Sequence, residues 1–125
     1  MERDKNLLEL RPHLDLETDS EMTDVEQFQN ETLRPILKLQ KDLTWALLGH
    51  SKNFSKQKMP DDRAHFMKAM LSFISADLQF RNMLIGIIIG HFTIKEYEYY
   101  VSKKSELNKR LLNMQAQRYT DFHFA

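Results

Sequence analysis

The most apolar stretch of the chain, "RNMLIGIIIGHFT" at residues 81–93, limits what the chain can fold into. Only eight consecutive residues, Met83 to Ile89 and the capping Gly90, lack a polar side chain, whereas a helix needs about 20 apolar residues to span a bilayer. No other strand-like run is present to pair with this stretch, and a strand without a partner is not stable. The stretch therefore predicts no membrane span but a helix over residues 76–89, buried on nearly all sides and capped by Gly90.

Gly86 and Gly90 lie four residues apart, a spacing that lets a second helix approach closely. If Gly86 faces another helix, the substitution Gly86→Leu would cost about 1 to 3 kcal/mol through overpacking. Just before this segment, Asp77 and Arg81 interrupt an apolar stripe of helical period. Two alternatives follow: the helix breaks near Ser75 and restarts on a new face, or Asp77 and Arg81 form an ion pair one turn apart.

The scarcity of turn-forming residues favours an all-α fold. The 125 residues include only three glycines and three prolines, with 42% hydrophobic and 29% charged residues. This balance is ordinary for a globular domain, and the length is typical of a single one. We predict a compact bundle of four to five helices that forms one domain over residues 23–122.

The first helix has a recognisable start. Thr23 and Glu26 have the spacing of a capping box, and apolar residues at helical spacing then continue to about Leu48. Pro35 interrupts this stripe because it lacks an amide hydrogen. We predict one helix kinked at Pro35; the alternative is a break near Arg34 and a separate helix beginning at Pro35.

The other boundaries rest on similar local signals. Residues 49–60 predict a loop, with Gly49 as a left-handed cap at its start. A second capping box, Thr93 with Glu96, predicts the start of another helix. Residues 102–105 predict a kink or junction before the last helical segment.

The charge is unevenly distributed although the formal net charge is zero. Residues 1–26 contain nine acidic and three basic residues, so the rest of the chain is mildly basic. We predict that residues 1–22 form a flexible, partly disordered acidic arm, because this segment is too polar to build a core. The alternative is an arm that folds onto the body and covers a basic face.

Cysteine is absent from the sequence. This excludes disulfides, thiolate catalysis and cysteine-ligated metal sites, and it fits a reducing compartment. The first residues also lack the apolar region of a signal peptide. We therefore expect a cytoplasmic protein.

Motifs for catalysis or cofactor binding are also absent. The sequence has no phosphate-binding glycine loop or nucleophile elbow, and the histidines at 13, 50, 65, 91 and 123 lack zinc-binding spacings. Asp62 and His65 form a single D-x-x-H step, an imperfect copy of the E-x-x-H motif of di-iron bundles. We predict no catalytic residue, no metal and no cofactor.

Polar residues beside the predicted core segments form the best candidate site. Their favoured interpretation is structural pairing, because buried ionic groups require partners. The functional alternative is a small anionic ligand held between helices by Arg34 and Arg81, with His91 at the mouth. The candidate ligand-binding residues are Arg34, Asp77, Arg81 and His91.

A small basic cluster, Lys52, Lys56 and Lys58 around Phe54, lies in the predicted loop. Such a cluster can bind phosphates together with one stacked base. Three lysines in a loop are more often simply solvated, so we do not predict a nucleic-acid partner.

Two segments together resemble a known group of proteins. "EQFQNETLRPILKLQKDL" and "DLQFRNMLIGIIIGHFTIKEYEYYVSKKSELNKRL" are similar to segments of small bacterial all-helical proteins of unknown function, some of which are labelled glyoxalase. The resemblance covers residues 24–114 and implies a helical fold. Glyoxalase I-type enzymes have strand-rich paired repeats with His and Glu metal ligands, a pattern that this sequence lacks, so the resemblance implies no catalytic residues here.

We therefore expect a noncatalytic protein-interaction or regulatory module, with a homodimer or a protein partner as its functional form. Tyr97, Tyr99 and Tyr100 point in several directions from one helical turn, so at least one of them can be exposed at an interface. The alternative is a ligand-binding or metal-dependent enzyme that uses the polar cluster named above.

Overall fold

The computed structural model describes residues 1–14 and 21–125, and every regular element within them is a helix. The prediction of an all-α fold is confirmed. The described residues contain more helices than the four or five predicted, because several predicted helices are divided by short breaks. In chain order the elements are α1 (Glu2–Leu10), α2 (Asp24–Phe28), a π-helical turn (Gln29–Leu33), α3 (Arg34–Leu39), α4 (Lys41–Gly49), α5 (Lys52–Ser55), α6 (Arg63–Ala76), α7 (Leu78–Ile89), α8 (Ile94–Ser102) and α9 (Lys104–His123).

The chain stays helical through Pro35, so the alternative of a break near Arg34 is not observed, but the predicted single helix to about Leu48 is interrupted further on. A π-helical turn, Gln29–Leu33, precedes the proline, and in it the amide of Arg34 donates to the carbonyl of Gln29, five residues earlier. This wider turn is a recognised way for a helix to accommodate a local fault in its hydrogen-bond ladder. The interruption occurs instead at Gln40, whose φ of −95° and ψ of 18° separate α3 from α4.

The bend between α6 and α7 settles the alternatives for Asp77. The two helices meet there at 90°, and the side chain of Asp77 accepts the amide of Phe80 at 3.1 Å as the N-cap of α7. Within residues 1–14 and 21–125, no ion pair joins Asp77 to Arg81, so the helix restarts on a new face. No single helix there is long and apolar enough to cross a membrane; α6 and α7 pass that test only when they are taken together across the bend.

Helix α7 is buried on one face rather than nearly all round. Gly86 is exposed, and a Cβ added to it would meet no atom within 4 Å, so the prediction that another helix packs against Gly86 is wrong. Gly90 caps α7 as predicted, but its φ of −57° is right-handed. Gly49 is the last residue of α4 and has no positive φ either. The buried residues of α7 are Phe80, Leu84, Ile85 and Ile88.

Local sequence signals, two of them helix caps, predicted three boundaries well. Thr93 and Glu96 form the complete capping box at the start of α8. Thr23 accepts the amide of Glu26 at 3.2 Å at the start of α2. Lys103 separates α8 from α9, inside the predicted junction. These motifs involve residues three apart or fewer, so they need no tertiary information.

The N-terminal residues differ from the predicted disordered arm. Residues Glu2–Leu10 form α1, which contacts the junction between α7 and α8. Nη1 of Arg3 donates to the carbonyl of Phe92 at 3.0 Å, and Asp4 accepts the amide of Ile94 at 3.3 Å. The part of the predicted arm at residues 15–20 lies outside the described residues.

Helix α9 is the element on which the core is assembled. It packs against α6, α8 and the π-helical turn, and the hydroxyl of Tyr119 donates to the carbonyl of Thr44 at 2.7 Å. Burial of the apolar side chains of the core contributes most to the stability of such a bundle. The core side chains of lowest exposure include Leu33, Ile36, Met70, Ile74, Leu84, Ile88, Leu107, Leu111, Ala116 and Tyr119.

Candidate functional site

Asp77, one of the four predicted site residues, has a structural role as a helix cap. Its carboxylate accepts the amide of Phe80 and, at 3.0 Å, the side-chain amide of Asn53. The hydrogen bond from Asn53, followed by that from Phe80, lowers the pKa of Asp77 below its usual value. Asp77 and Asn53 also line an open cavity beside α5 and α6, so Asp77 links this end of α7 to the segment around Asn53.

Arg81 lies on the same helix but faces elsewhere. Its amide donates to the Asp77 carbonyl at 2.8 Å, as in any helix. Its half-buried side chain makes no hydrogen bond or ion pair to the residues that the structure describes, and its charge acts on the nearby hydroxyl of Tyr100. Neither the backbone hydrogen bond with Asp77 nor the interaction with Tyr100 places Arg81 beside Arg34.

His91 lies in the turn between α7 and α8. Its Nε2 is 2.5 Å from the side-chain nitrogen of Gln40, an arrangement in which a neutral imidazole accepts from the amide. Burial, then the charges of Arg11 and Arg3, lowers the pKa of His91. Its Nδ1 is buried with no partner among the described residues. The environment therefore favours the neutral form of His91.

The four predicted residues consequently do not form one site. Asp77 and Arg81 are connected only through the backbone of α7, and His91 contacts Gln40. Arg34 lines a separate groove against α9. The structure instead brings together two polar clusters that sequence patterns did not combine.

The first is the Glu96 cluster, which consists of Arg11, Thr32, Thr93 and Glu96. Arg11 makes a bidentate ion pair with Glu96: Nη2 to Oε1 at 2.5 Å and Nη1 to Oε2 at 2.7 Å. The hydroxyl of Thr32 donates to Oε2 at 2.9 Å, and the amide of Thr93 donates to Oε1 at 2.8 Å. The carboxylate thus joins the segment after α1, the π-helical turn and the start of α8.

The protonation of Glu96 follows from these contacts. Burial alone would raise its pKa, but the hydrogen bonds from Arg11, Thr93 and Thr32 and the charge of Arg11 together lower it. An ionised carboxylate with four donors around it is suited to holding elements together rather than to acid–base chemistry. The capping box was the only sequence signal for this cluster, because Arg11 is 85 residues from Glu96.

The second is the arginine groove, defined by Arg34, Arg110 and Arg118. It has a volume of about 640 Å³ and lies between the start of α3 and α9. Nε of Arg34 donates to Oδ1 of Asn30 at 2.8 Å, and Nη1 of Arg110 donates to Oε1 of Gln29 at 2.9 Å. These two contacts leave the terminal nitrogens of Arg34 without hydrogen bonds in the described part of the chain.

Arg118 is the least compensated of the three. It is half-buried and makes no hydrogen bond or ion pair to any described residue. Burial and then the charge of Arg34 lower its pKa, and Asp121 opposes this only in part. Asp121 is already engaged, since it accepts from Arg63 and, at 2.9 Å, from Gln117. The groove therefore holds positive charge that its own side chains do not neutralise.

Only Arg34 of this groove was among the residues predicted from sequence to form a site. Arg110 and Arg118 are eight residues apart, and Met114 and Gln117 lie between them at helical spacing. This stripe along one face of α9 was the available signal. Its proximity to Arg34, 76 and 84 residues earlier in the chain, depends on tertiary packing that no local pattern reveals.

The D-x-x-H step is explained by helix capping. Oδ2 of Asp62 accepts the amide of His65 at 3.0 Å and lies 2.7 Å from its Nδ1. The hydrogen bonds from the backbone and side chain of His65 lower the pKa of Asp62. In residues 1–14 and 21–125 there is no group of three or more His, Asp or Glu side chains that could hold a metal ion.

Comparison with protein-family models, with curated proteins and with solved structures found no match for this chain. Its function is therefore inferred from its own residues.

Proposed function

We propose that this protein is a noncatalytic interaction module that self-associates through one face of α8. The observation that carries the proposal is an exposed apolar stripe formed by Ile94, Tyr97 and Val101, which are 43%, 46% and 52% exposed. The three residues have spacings of three and four, so they form a continuous ridge on the helix. Exposed apolar ridges of this kind are typical of interaction surfaces.

A second copy of the chain is the occupant that the charges favour. The formal net charge is zero, so two copies do not repel each other at long range. The other exposed flank of α8 carries both Lys95 and Glu98, which can form a polar rim around an apolar centre. Tyr97 adds an amphipathic aromatic side chain, a residue type enriched at interfaces.

The test is the mass of the purified protein by native mass spectrometry and light scattering. We expect a dimer, and we expect Val101→Glu to convert it to a monomer because the substitution places a charge in the apolar stripe. Ser102→Glu is the matched control, because it adds the same charge to the same exposed end of α8 but outside the stripe. A monomeric wild-type protein, or equal effects of the two substitutions, would contradict the proposal.

The proposal also includes where in the cell the protein acts and which proteins it is related to. A chain without cysteine suits the cytoplasm, where we expect the module to act. We also propose that it belongs with the small bacterial helical proteins that residues 24–114 resemble. The alternative of a ligand-binding protein keeps support only around Arg34, in the arginine groove.

A further inference from the structure

The geometry points to the arginine groove as a binding site for a small organic anion that carries at least two negative charges, of the phosphate-ester class. This inference goes beyond the proposed self-association and does not depend on it. It rests on the three guanidinium groups of Arg34, Arg110 and Arg118, which line one groove of about 640 Å³.

The groove is lined by more positive than negative side chains. Three arginines and one carboxylate, Asp121, line the groove, and Asp121 is shared with Arg63 from α6. Arg110 has Glu106 at 3.6 Å, whereas Arg118 has no ion-pair partner in the described residues. Like charges on Arg34 and Arg118 act on each other, which costs free energy unless an anion lies between them.

Two arginines of the groove have hydrogen-bond donors that no described residue uses. The terminal nitrogens of Arg34 and the whole guanidinium of Arg118 are free to donate within the described structure. A guanidinium presents its donors as a planar fork that matches the oxygens of phosphate or carboxylate. All three arginines are only partly exposed, so their interaction with an anion is screened less than at an open surface.

The groove is partly apolar and larger than a single phosphate. A single phosphate would fill only part of the groove, whose lining also includes the apolar side chains of Met67, Met114 and Phe122. Nζ of Lys41 lies 4.5 Å from the centre of the Phe122 ring, so a further cation lies beside one of these apolar side chains. Apolar walls with a few fixed polar groups are typical of sites for small organic ligands. An organic phosphate fits this lining, because its phosphate groups can bind the arginines and its organic part can contact the apolar side chains.

A small ligand is favoured over a nucleic acid because the positive charge is local. Asp121 lines the groove, Glu106 pairs with Arg110, and the chain as a whole has zero net charge. Nucleic-acid surfaces instead carry an extended basic patch or stripe.

The test is isothermal titration calorimetry of the full chain with inorganic tripolyphosphate and with ATP, without divalent cations and at constant ionic strength. We expect saturable binding of one anion per chain. Arg34→Gln and Arg118→Gln should each weaken binding about 10-fold or more, the usual effect of losing a hydrogen bond to a charged group. Tighter binding of ATP than of tripolyphosphate, which has the same number of phosphates, would show that the organic part contacts the apolar lining. Equal or weaker binding of ATP would show that the phosphates alone are recognised and would overturn the assignment to an organic anion.

Two further variants locate the site. Lys56→Gln removes an exposed positive charge far from the groove in sequence and should leave affinity unchanged. Arg81→Gln should also leave it unchanged; a loss equal to that of Arg34→Gln would move the anion to the Arg34 and Arg81 pair predicted from sequence and overturn the groove. Absence of binding, or binding insensitive to Arg118→Gln, would likewise overturn it. Tighter, arginine-dependent binding of a single-stranded oligonucleotide would replace it with a nucleic-acid surface.

A measurement without ligand separates binding from a purely structural role. Because Arg118 is half-buried without a partner, Arg118→Gln should maintain or raise the melting temperature of the free protein while it weakens anion binding. A substitution that lowers the melting temperature and leaves affinity intact would show that Arg118 only supports the fold. Arg118→Lys keeps the charge without the fork and should retain intermediate affinity.

Discussion

At the scale of single residues, Glu96 shows how one side chain can serve several elements. It completes the capping box of α8 with Thr93 and accepts two hydrogen bonds from Arg11. The side chains of Arg11 and Glu96 are only 9% and 18% exposed. Each ion of such a pair is strongly desolvated, so removing one partner leaves the other without compensation.

We expect Glu96→Gln to lower the free energy of unfolding by about 3 kcal/mol at neutral pH, because it leaves Arg11 buried and unpaired. The lowered pKa of Glu96 also gives a pH dependence. Its stabilising contribution is complete above the unfolded-state pKa of 4.5 and is lost as the pH falls through the lower folded-state pKa. Urea unfolding at neutral pH, with an acid titration of both proteins, measures both effects.

The control for this substitution is Glu98→Gln, two residues along α8 at an exposed position. It should change stability by less than about 0.5 kcal/mol, as is usual for surface sites. Equal losses for the two variants would mean that the contacts of Glu96 contribute no more than a surface charge.

At the scale of elements, sequence predicted what depends on neighbours along the chain. The caps at Thr23 and Thr93 and the end of α7 at Gly90 each involve residues within one turn. The π-helical turn before Pro35 was not predicted, because hydrogen-bond geometry rather than residue type distinguishes it from a kink. A helical segment can accommodate a proline in more than one way, and the turn observed here includes Thr32, whose hydroxyl donates to Glu96.

Long-range pairings account for the remaining differences. The Glu96 cluster joins residues 85 apart, and the arginine groove joins the start of α3 to the middle of α9. Of the four candidate site residues, only Arg34 belongs to either. Polar residues beside apolar segments can be recognised from sequence as side chains that need partners. Their positions in the sequence do not show which distant residues those partners are.

A second prediction belongs to α7, where the exposed Gly86 interrupts a helix interior. A Cβ at this position meets nothing within 4 Å, and glycine costs about 0.5 to 1 kcal/mol relative to alanine inside a helix. We expect Gly86→Ala to raise the free energy of unfolding by that amount, as measured by chemical denaturation.

Gly90→Ala is the comparison for this substitution. Its added Cβ would lie 3.4 Å from the carbonyl oxygen of Gly86, and the position is a helix cap, so its gain should be smaller. A loss of stability on Gly86→Ala would contradict the open space around Gly86.

At the scale of the whole molecule, α1 is held by polar contacts that converge on one turn. Helix α1 has no buried residue. Arg3 donates to the carbonyls of Gly90 and Phe92, and Arg11 donates to that of His91. Docking that depends on charge and hydrogen bonds responds to pH and salt more than docking of apolar surface.

The third prediction concerns this docking and His91. Its pKa is lowered by burial and by the nearby Arg11 and Arg3, so the unfolded state binds a proton more readily. The contribution of His91 to stability is therefore complete above the unfolded-state pKa of 6.5 and falls as the pH decreases below it. We expect the protection of α1 amides against exchange, corrected for the intrinsic pH dependence of the exchange rate, to fall relative to that of α9 on acidification through this range, and His91→Gln to remove the change. An equal loss of protection in both helices, or an unchanged response in the variant, would show that another group destabilises the whole fold.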